Sequence, residues 1–200
     1  MVKRLIFAMR HSQTRWNAEG RFQGRSDHSL TVAGQRQAAE NGRKLKAHFK
    51  RLGVEPARIA AYVSPLKRAR ETFAATAAEV GIAESQVNID TRLAEASFGR
   101  WEGMTTLEVK ASFAAERRLR KTDRWNFNAH GGDSYADLAR SMESFLADLA
   151  PARPVLVVSH AGNMKVMAAM LAGLAREEAM ALSVPHDTVL CWDGGQLAWI

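Results

Sequence analysis

The chain has 200 residues, 46% of them hydrophobic, a net charge of +7 and a single cysteine, Cys191. That length and balance suit one domain with a full core. They exclude an intramolecular disulfide and a cysteine-rich zinc site, and no run approaches the roughly 20 apolar residues of a membrane helix.

In chain order, residues 5–9 read as a buried strand, followed at once by Arg10 and His11. Lys3 and Arg4 stand before an apolar run too short for a signal peptide, so a cytoplasmic, reducing location is expected. Residues 31–52 carry apolar side chains at helical spacing, with Gly53 as the stop. A second strand is predicted over 59–63. The next helix is expected to hold Pro65 in its first turn, where the missing N–H costs nothing, and to end at Val80 before Gly81. Residues 87–91 form a third candidate strand. Helices are expected over 105–120 and 133–149, with a loop at 121–132 between them. Residues 155–159 are a fully apolar, β-branched strand, and 162–173 a Met- and Ala-rich helix in which packing explains the methionines. Residues 188–193 and 196–200 flank Gly194-Gly195 as a closing hairpin, with Cys191 a small buried residue within it.

This alternation predicts an α/β fold: a three-layer sandwich with a central, mostly parallel sheet flanked by helices. No repeat, linker or low-complexity tract divides the chain, so residues 1–200 are expected to form one domain. The segment 98–132 would form a small helical cap. The basic residues are scattered, and their densest stretches, 43–51 and 117–124, read as solvated helix faces. They lack a recognition motif or aromatic platform, so neither nucleic acid nor a membrane is the expected partner.

Open α/β sheets place ligands beyond the carboxyl ends of their strands. That rule alone gathers Arg10-His11, the stretch from Ser64 to Arg68, and His160. Arginine offers a planar fork of donors matched to phosphate oxygens. Histidine, neutral near pH 7, offers an unprotonated ring nitrogen. Cations and imidazoles collected at one edge make a phosphate pocket with a nucleophile inside it. Asn17, in the turn after the first strand, is a further candidate phosphate contact.

Several ordered blocks extend this reading. They are Arg10-His11-Ser12-Gln13-Thr14-Arg15-Trp16-Asn17, then Arg21 with Gln23-Gly24, then Ser64-Pro65-Leu66-Lys67-Arg68-Ala69-Arg70-Glu71-Thr72. Leu93-Ala94-Glu95 through Phe98-Gly99-Arg100-Trp101-Glu102-Gly103 and Val157-Val158-Ser159-His160-Ala161-Gly162-Asn163 follow. In this order the blocks resemble the histidine phosphatase superfamily, the phosphoglycerate-mutase-like proteins, from about Leu5 to at least Asn163.

The resemblance implies a phosphohistidine formed on His11. It selects Arg68 rather than Lys67 or Arg70 as the partner of Arg10 in clamping the phosphoryl group. It makes His160 a donor to a phosphoryl oxygen, and it chooses Glu95 over Glu102 as proton donor. Ser12, Gln23, Gly24 and Ala161 fall within the blocks that would surround the substrate. Two positions depart from the family pattern: Ser12 and Ala161 stand where glycine is usual, and a Cβ there would be strained if either backbone needed positive φ.

The implied activity is metal-independent hydrolysis of a small phosphorylated metabolite, with no redox cofactor. The alternatives are mutase-type phosphoryl transfer and a non-catalytic phospho-ligand-binding protein. Trp16, Phe22, Trp101, Trp125 and Phe127 are candidates for the leaving-group pocket or for core and cap packing. The substrate stays open, as does oligomeric state, a homodimer included.

Overall fold

The computed structural model describes residues 4–150 and 153–200, so Lys3, one of the two cations before the first strand, lies outside it. The chain order is β1 (Ile6–Arg10), α1 (Arg15–Ala18), α2 (Val32–Leu52), β2 (Ala60–Val63), α3 (Lys67–Val80) and β3 (Val87–Ile89), then α4 (Thr106–Ser112), α5 (Ala114–Thr122) and α6 (Tyr135–Asp148). It closes with β4 (Val155–Ser159), α7 (Ala161–Ala172), α8 (Arg176–Ala181), β5 (Val189–Trp192) and β6 (Leu197–Trp199).

The strands form one six-stranded sheet ordered β3-β2-β4-β1-β5-β6. The first four are parallel, and the β5–β6 hairpin joins antiparallel at the β1 side. Central strands covered on both faces must be apolar throughout rather than alternating, and β4 is buried along its whole length. Ile6, Ala8, Val155 and Val157 point into the core shared with α6 and α7. Phe7, Met9, Leu156 and Val158 point the other way, against α2 and α3. The three expected layers follow from these two faces. Helix stops read at Gly53 and Gly81 are both left-handed caps, with φ of 65° and 87°.

Three local expectations need correction. Pro65 precedes the N-cap Leu66 instead of sitting in the first turn of α3. The single helix expected over 105–120 is two, α4 and α5, broken at Phe113 (φ −134°, ψ 45°). That break turns the Phe113 ring onto a small separate core of Trp101, Val109 and Ala129, which also gathers Phe22, Phe98 and Phe127. The loop expected at 121–132 therefore begins two residues late, after Thr122. The short α1 and α8, four and six residues, were invisible to periodicity.

Register fixes where the strands end. Arg10 pairs with Ser159 and Val63 with Val158. The His11 amide donates to the Ser159 carbonyl at 2.8 Å and the Ser64 amide to Val158 at 3.0 Å. His11, Ser64 and His160 thus leave the sheet at one level.

Candidate active site

A cavity of about 190 Å³ opens at this edge, and Arg10, His11, Arg68, Glu95 and Ala161 line it together with Asn17, Gln23 and Gly24. Eight of the ten residues expected at the site are therefore brought to one wall. The other two lie just behind it. His160 is fully buried, its ring 5.2 Å from that of His11. Ser12 is fully buried and donates its amide to Thr72 Oγ1 at 2.9 Å.

His11 is 3% exposed. Its Nδ1 lies 2.8 Å from the Ser12 carbonyl, and a carbonyl can only accept, so Nδ1 carries the proton and Nε2 keeps its lone pair. Burial pushes the imidazole well below its usual pKa, with His160, Arg68 and Arg10 adding to it. The ring is a neutral base at physiological pH. His160 is lowered in the same way by burial, then by Arg68 and Arg10. Its Nε2 is 2.7 Å from Ser64 Oγ, which also accepts from the Leu66 amide. His160 Nδ1 is buried without a partner among the described residues.

The two arginines are anchored by main-chain carbonyls. Arg68 donates to Gly24 at 2.6 Å and Ser26 at 2.8 Å, and Arg10 to Val184 at 3.1 Å. Both keep a buried Nε with no partner. Burial depresses each guanidinium's pKa, and Glu95 opposes this in both. The amide of Gln23 is buried with neither its oxygen nor its nitrogen satisfied. An unpaired buried polar group costs about 1–3 kcal/mol, so these orphans together describe a site shaped for an anionic, hydrogen-bonding guest. Asn17 is half-buried, its Oδ1 taken by the Thr14 amide and hydroxyl.

The two carboxylates that compete in the sequence part company here. Glu102 accepts from the amides of Arg25, Ser26 and Phe98 and the hydroxyls of Ser26 and Ser97. Burial raises its pKa, but these bonds outweigh burial and hold it below the usual range. It is a structural anion under Gly24, where a Cβ would lie 2.1 Å from Glu102 Oε1. Glu95 is buried, and that burial raises its pKa against the Ala96 amide, Arg68, the Gly162 amide and Arg10. Asn163 and Ser159 fix its loop by donating to the carbonyls of Leu93 and Ala94. Gly162 must be glycine, since a Cβ would stand 2.5 Å from Glu95 Oε1.

The strain feared at Ser12 and Ala161 is absent, because no described non-glycine residue has positive φ. Of the candidate aromatics, Phe22 and Phe127 line the cavity. Trp101 is core of the cap, Trp125 packs near Tyr135, and Trp16 lies against His28.

Sequence reasoning missed four participants. Arg120 and Arg124, placed among solvated helix faces, are half-buried and line the cavity with Tyr135. Only the fold of α5 back over the sheet edge turns them inward, and the broken helix hid this. His186 donates from Nδ1 to the His11 carbonyl at 2.6 Å, and its own carbonyl accepts from Asn41. Its position just before β5, the strand beside β1, was the available signal.

Fold and pocket together define an α/β protein with two buried imidazoles and two arginines gathered at its sheet edge. The chain belongs to the histidine phosphatase superfamily (branch 1), whose family model matches residues 6–198. It is 36% identical over 183 residues to a glucosyl-3-phosphoglycerate phosphatase of Mycolicibacterium vanbaalenii, covering 86% of this chain and 76% of that one. It is 28% identical to a 2,3-bisphosphoglycerate-dependent phosphoglycerate mutase of Nitrobacter winogradskyi, covering 90% and 87%. Among solved structures, a mycobacterial glucosyl-3-phosphoglycerate phosphatase in complex with VO3 superposes with a TM-score of 0.77 at 28% identity, over 98% of this chain and 96% of that one.

Proposed function

We propose that this enzyme is a metal-independent phosphomonoesterase that works through a phosphohistidine at His11 on a small phosphorylated metabolite. The observation that carries the reading is the pairing of a buried neutral imidazole, its Nε2 unshared, with a buried carboxyl whose pKa is raised by that burial. A binding protein needs the arginines but has no use for a proton donor.

The substrate phosphate docks between Arg10 and Arg68, with His160 Nδ1 donating to an oxygen. Asn17, Gln23 and the segment at Gly24 and Ala161 complete the enclosure, and the Ser12 hydroxyl is buried without a partner. His11 Nε2 attacks phosphorus in line as the ester P–O bond breaks. The leaving oxygen takes the Glu95 proton. The arginines meet charge that grows on the equatorial oxygens during transfer, which is where fixed donors lower a barrier most. Glu95, now a carboxylate, takes a proton from water as that water attacks the phosphohistidine. Orthophosphate leaves, and His11 returns to its neutral form.

The test is phosphate release from a panel of phosphometabolites and an aryl phosphate in EDTA, with His11→Ala alongside. Release that survives chelation and falls at least about 10⁴-fold in the variant is expected. Release that persists in the variant, or that requires added metal, overturns the mechanism. A second reading, transfer of the phosphoryl group from the phosphohistidine to the free hydroxyl of a monophosphate so that a bisphosphate forms, has the support of the 28%-identical mutase. It would appear in the same panel as isomerised phosphoglycerate in place of free phosphate.

A further inference from the structure

One nucleophile beside the pocket takes no part in the mechanism above. Lys165 lies on α7, one turn beyond Ala161, which lines the cavity. Residues four apart on a helix share a face, with Cβ atoms roughly 5–6 Å apart, and long side chains lean back toward the N-terminal turn. Lys165 is half-buried, and its Nζ donates to the Met180 carbonyl at 2.7 Å. Arg124, a residue of the cavity wall, donates to the same oxygen at 3.3 Å. The two nitrogens that share this oxygen are no more than about 6 Å apart. The amine thus stands at the rim of the pocket.

Its surroundings favour the neutral form. Lys165 forms no ion pair among the described residues. The charged groups that act on it are all cations: Arg124 and Arg120 from α5 and the turn after it, and Arg10 from β1. All three line the cavity, and α8 contributes only the Met180 carbonyl. Burial first, then these arginines, bring the Lys165 pKa down to about 8 from an ordinary 10.5. At pH 7.5 about a quarter of such a side chain is free amine, against about one part in a thousand for an ordinary lysine. Neighbouring cations and desolvation activate an amine toward carbonyl carbon.

We propose that Lys165 is a covalent capture site for phosphorylated aldehydes. The inference rests on the placement of a phosphate between Arg10 and Arg68 in the reading above. The phosphate enters that clamp as a substrate phosphate does, and the carbonyl carbon at the other end meets Nζ. The lone pair of the neutral amine adds to this carbon. Both N–H hydrogens leave with the carbonyl oxygen as water, and a C=N bond remains. Arg124, held on the same carbonyl as Nζ, meets the negative charge that grows on the aldehyde oxygen during addition. The step consumes no oxidant or reductant, and water reverses it. While the bond lasts the pocket is closed to phosphomonoesters, so aldehyde phosphates are reversible covalent inhibitors.

The probes are pyridoxal 5′-phosphate and glycolaldehyde phosphate, each run beside its phosphate-free aldehyde. Borohydride reduces any imine to a stable secondary amine, and peptide mass spectrometry counts the label at each lysine. Trapping is run in His11→Ala, which leaves the probes whole, and in the parent at short exposure. At least one phosphorylated probe is expected to label Lys165 about tenfold faster than any other lysine. Its phosphate-free aldehyde is expected to label Lys165 about tenfold more slowly, and orthophosphate to protect the site. The rate at Lys165 is expected to reach half its limit near pH 8. Lys165→Arg keeps the charge and a donor for Met180. It is expected to lose the label while turnover of an aryl phosphate stays within about twofold of the parent.

Label spread evenly over the lysines overturns the capture site. So does a phosphate-free aldehyde that labels Lys165 as fast as its phosphate, or a rate that orthophosphate leaves unchanged. The two proposals fail separately. Unselective labelling with phosphate release intact removes the capture site alone. Directed labelling with no release from any phosphometabolite removes the hydrolase reading and leaves the capture site standing.

Discussion

The floor of the active-site pocket and its cap are held together by different means. On the floor, functional side chains bond to the main chain of distant segments. Arg68 on α3 reaches the carbonyls of Gly24 and Ser26, His186 that of His11, and Asn163 on α7 those of Leu93 and Ala94. In the cap, side chains hold one another. Glu116 joins Arg100 to the Trp101 indole, Arg21 reaches Glu108, and a knot of phenylalanines surrounds Trp101. A main-chain anchor ties position to sheet register, whereas a side-chain anchor can be exchanged without moving a strand. The proposed mechanism places its chemistry on the floor, where position is tied to the sheet.

The largest effect that would break this division lies at Glu95. Glu95→Gln is expected to slow hydrolysis of alkyl phosphates by about 10²–10³-fold. Activated aryl phosphates, whose leaving groups need little proton donation, are expected to lose less than about tenfold. The pH profile supplies a second measure. The proposed mechanism requires neutral His11 and protonated Glu95, so it predicts activity that falls as pH drops through the depressed His11 pKa and as pH rises through the elevated Glu95 pKa. The alkaline limb of kcat/KM is expected to disappear in the glutamine variant. Equal losses on both substrate types, with the limb retained, would move the acid role elsewhere.

A smaller effect sharpens the main-chain side of the comparison. His186→Ala removes the donor to the His11 carbonyl, and about a tenfold loss in kcat with little change in KM is expected. His186→Asn, which can still donate, restores most of it. Stability carries the same signature. Burial and then Arg10 lower the His186 pKa to about 4, against an ordinary 6.5. As pH falls from 6.5 to 4 the unfolded chain takes up a proton that the folded one refuses, so the contribution is present above 6.5 and lost through that window. A thermal midpoint that declines no less steeply in His186→Asn than in the parent would place the titrating group elsewhere.

The floor was legible in the sequence because β-strands 1, 2 and 4 are apolar throughout and end in Arg10-His11, Ser64 and His160. A strand's carboxyl end is a position that periodicity can locate. Glu95 needed more, since it sits on a short loop with no periodic signal and separates from Glu102 only through partners remote in the chain. The cap was legible least. Arg117, Arg120, Lys121 and Arg124 follow ordinary helical spacing, and only the break at Phe113 decides which way they face. That break answers to packing on Trp101 and Val109, a tertiary cause with no local mark.

The cap's side of the comparison can be loosened by itself at Glu116, which leaves the pocket floor untouched. Its carboxylate accepts from Arg100 and, at 3.0 Å, from Trp101 Nε1. A glutamine oxygen can keep one of these bonds but brings an amide group that the Arg100 guanidinium cannot pair with. Arg100 is 46% exposed and its side of the interaction is partly screened, so the change is set mainly by the Trp101 bond, about 1 kcal/mol. In Glu116→Gln, amide exchange is expected to quicken several-fold along α4 and α5 while the strands keep their protection. Turnover of a small aryl phosphate is expected to stay within twofold of the parent. Faster exchange spreading to β1 and β4, or a thermal midpoint lowered by more than about 5 °C, would mean that cap and floor unfold as one unit.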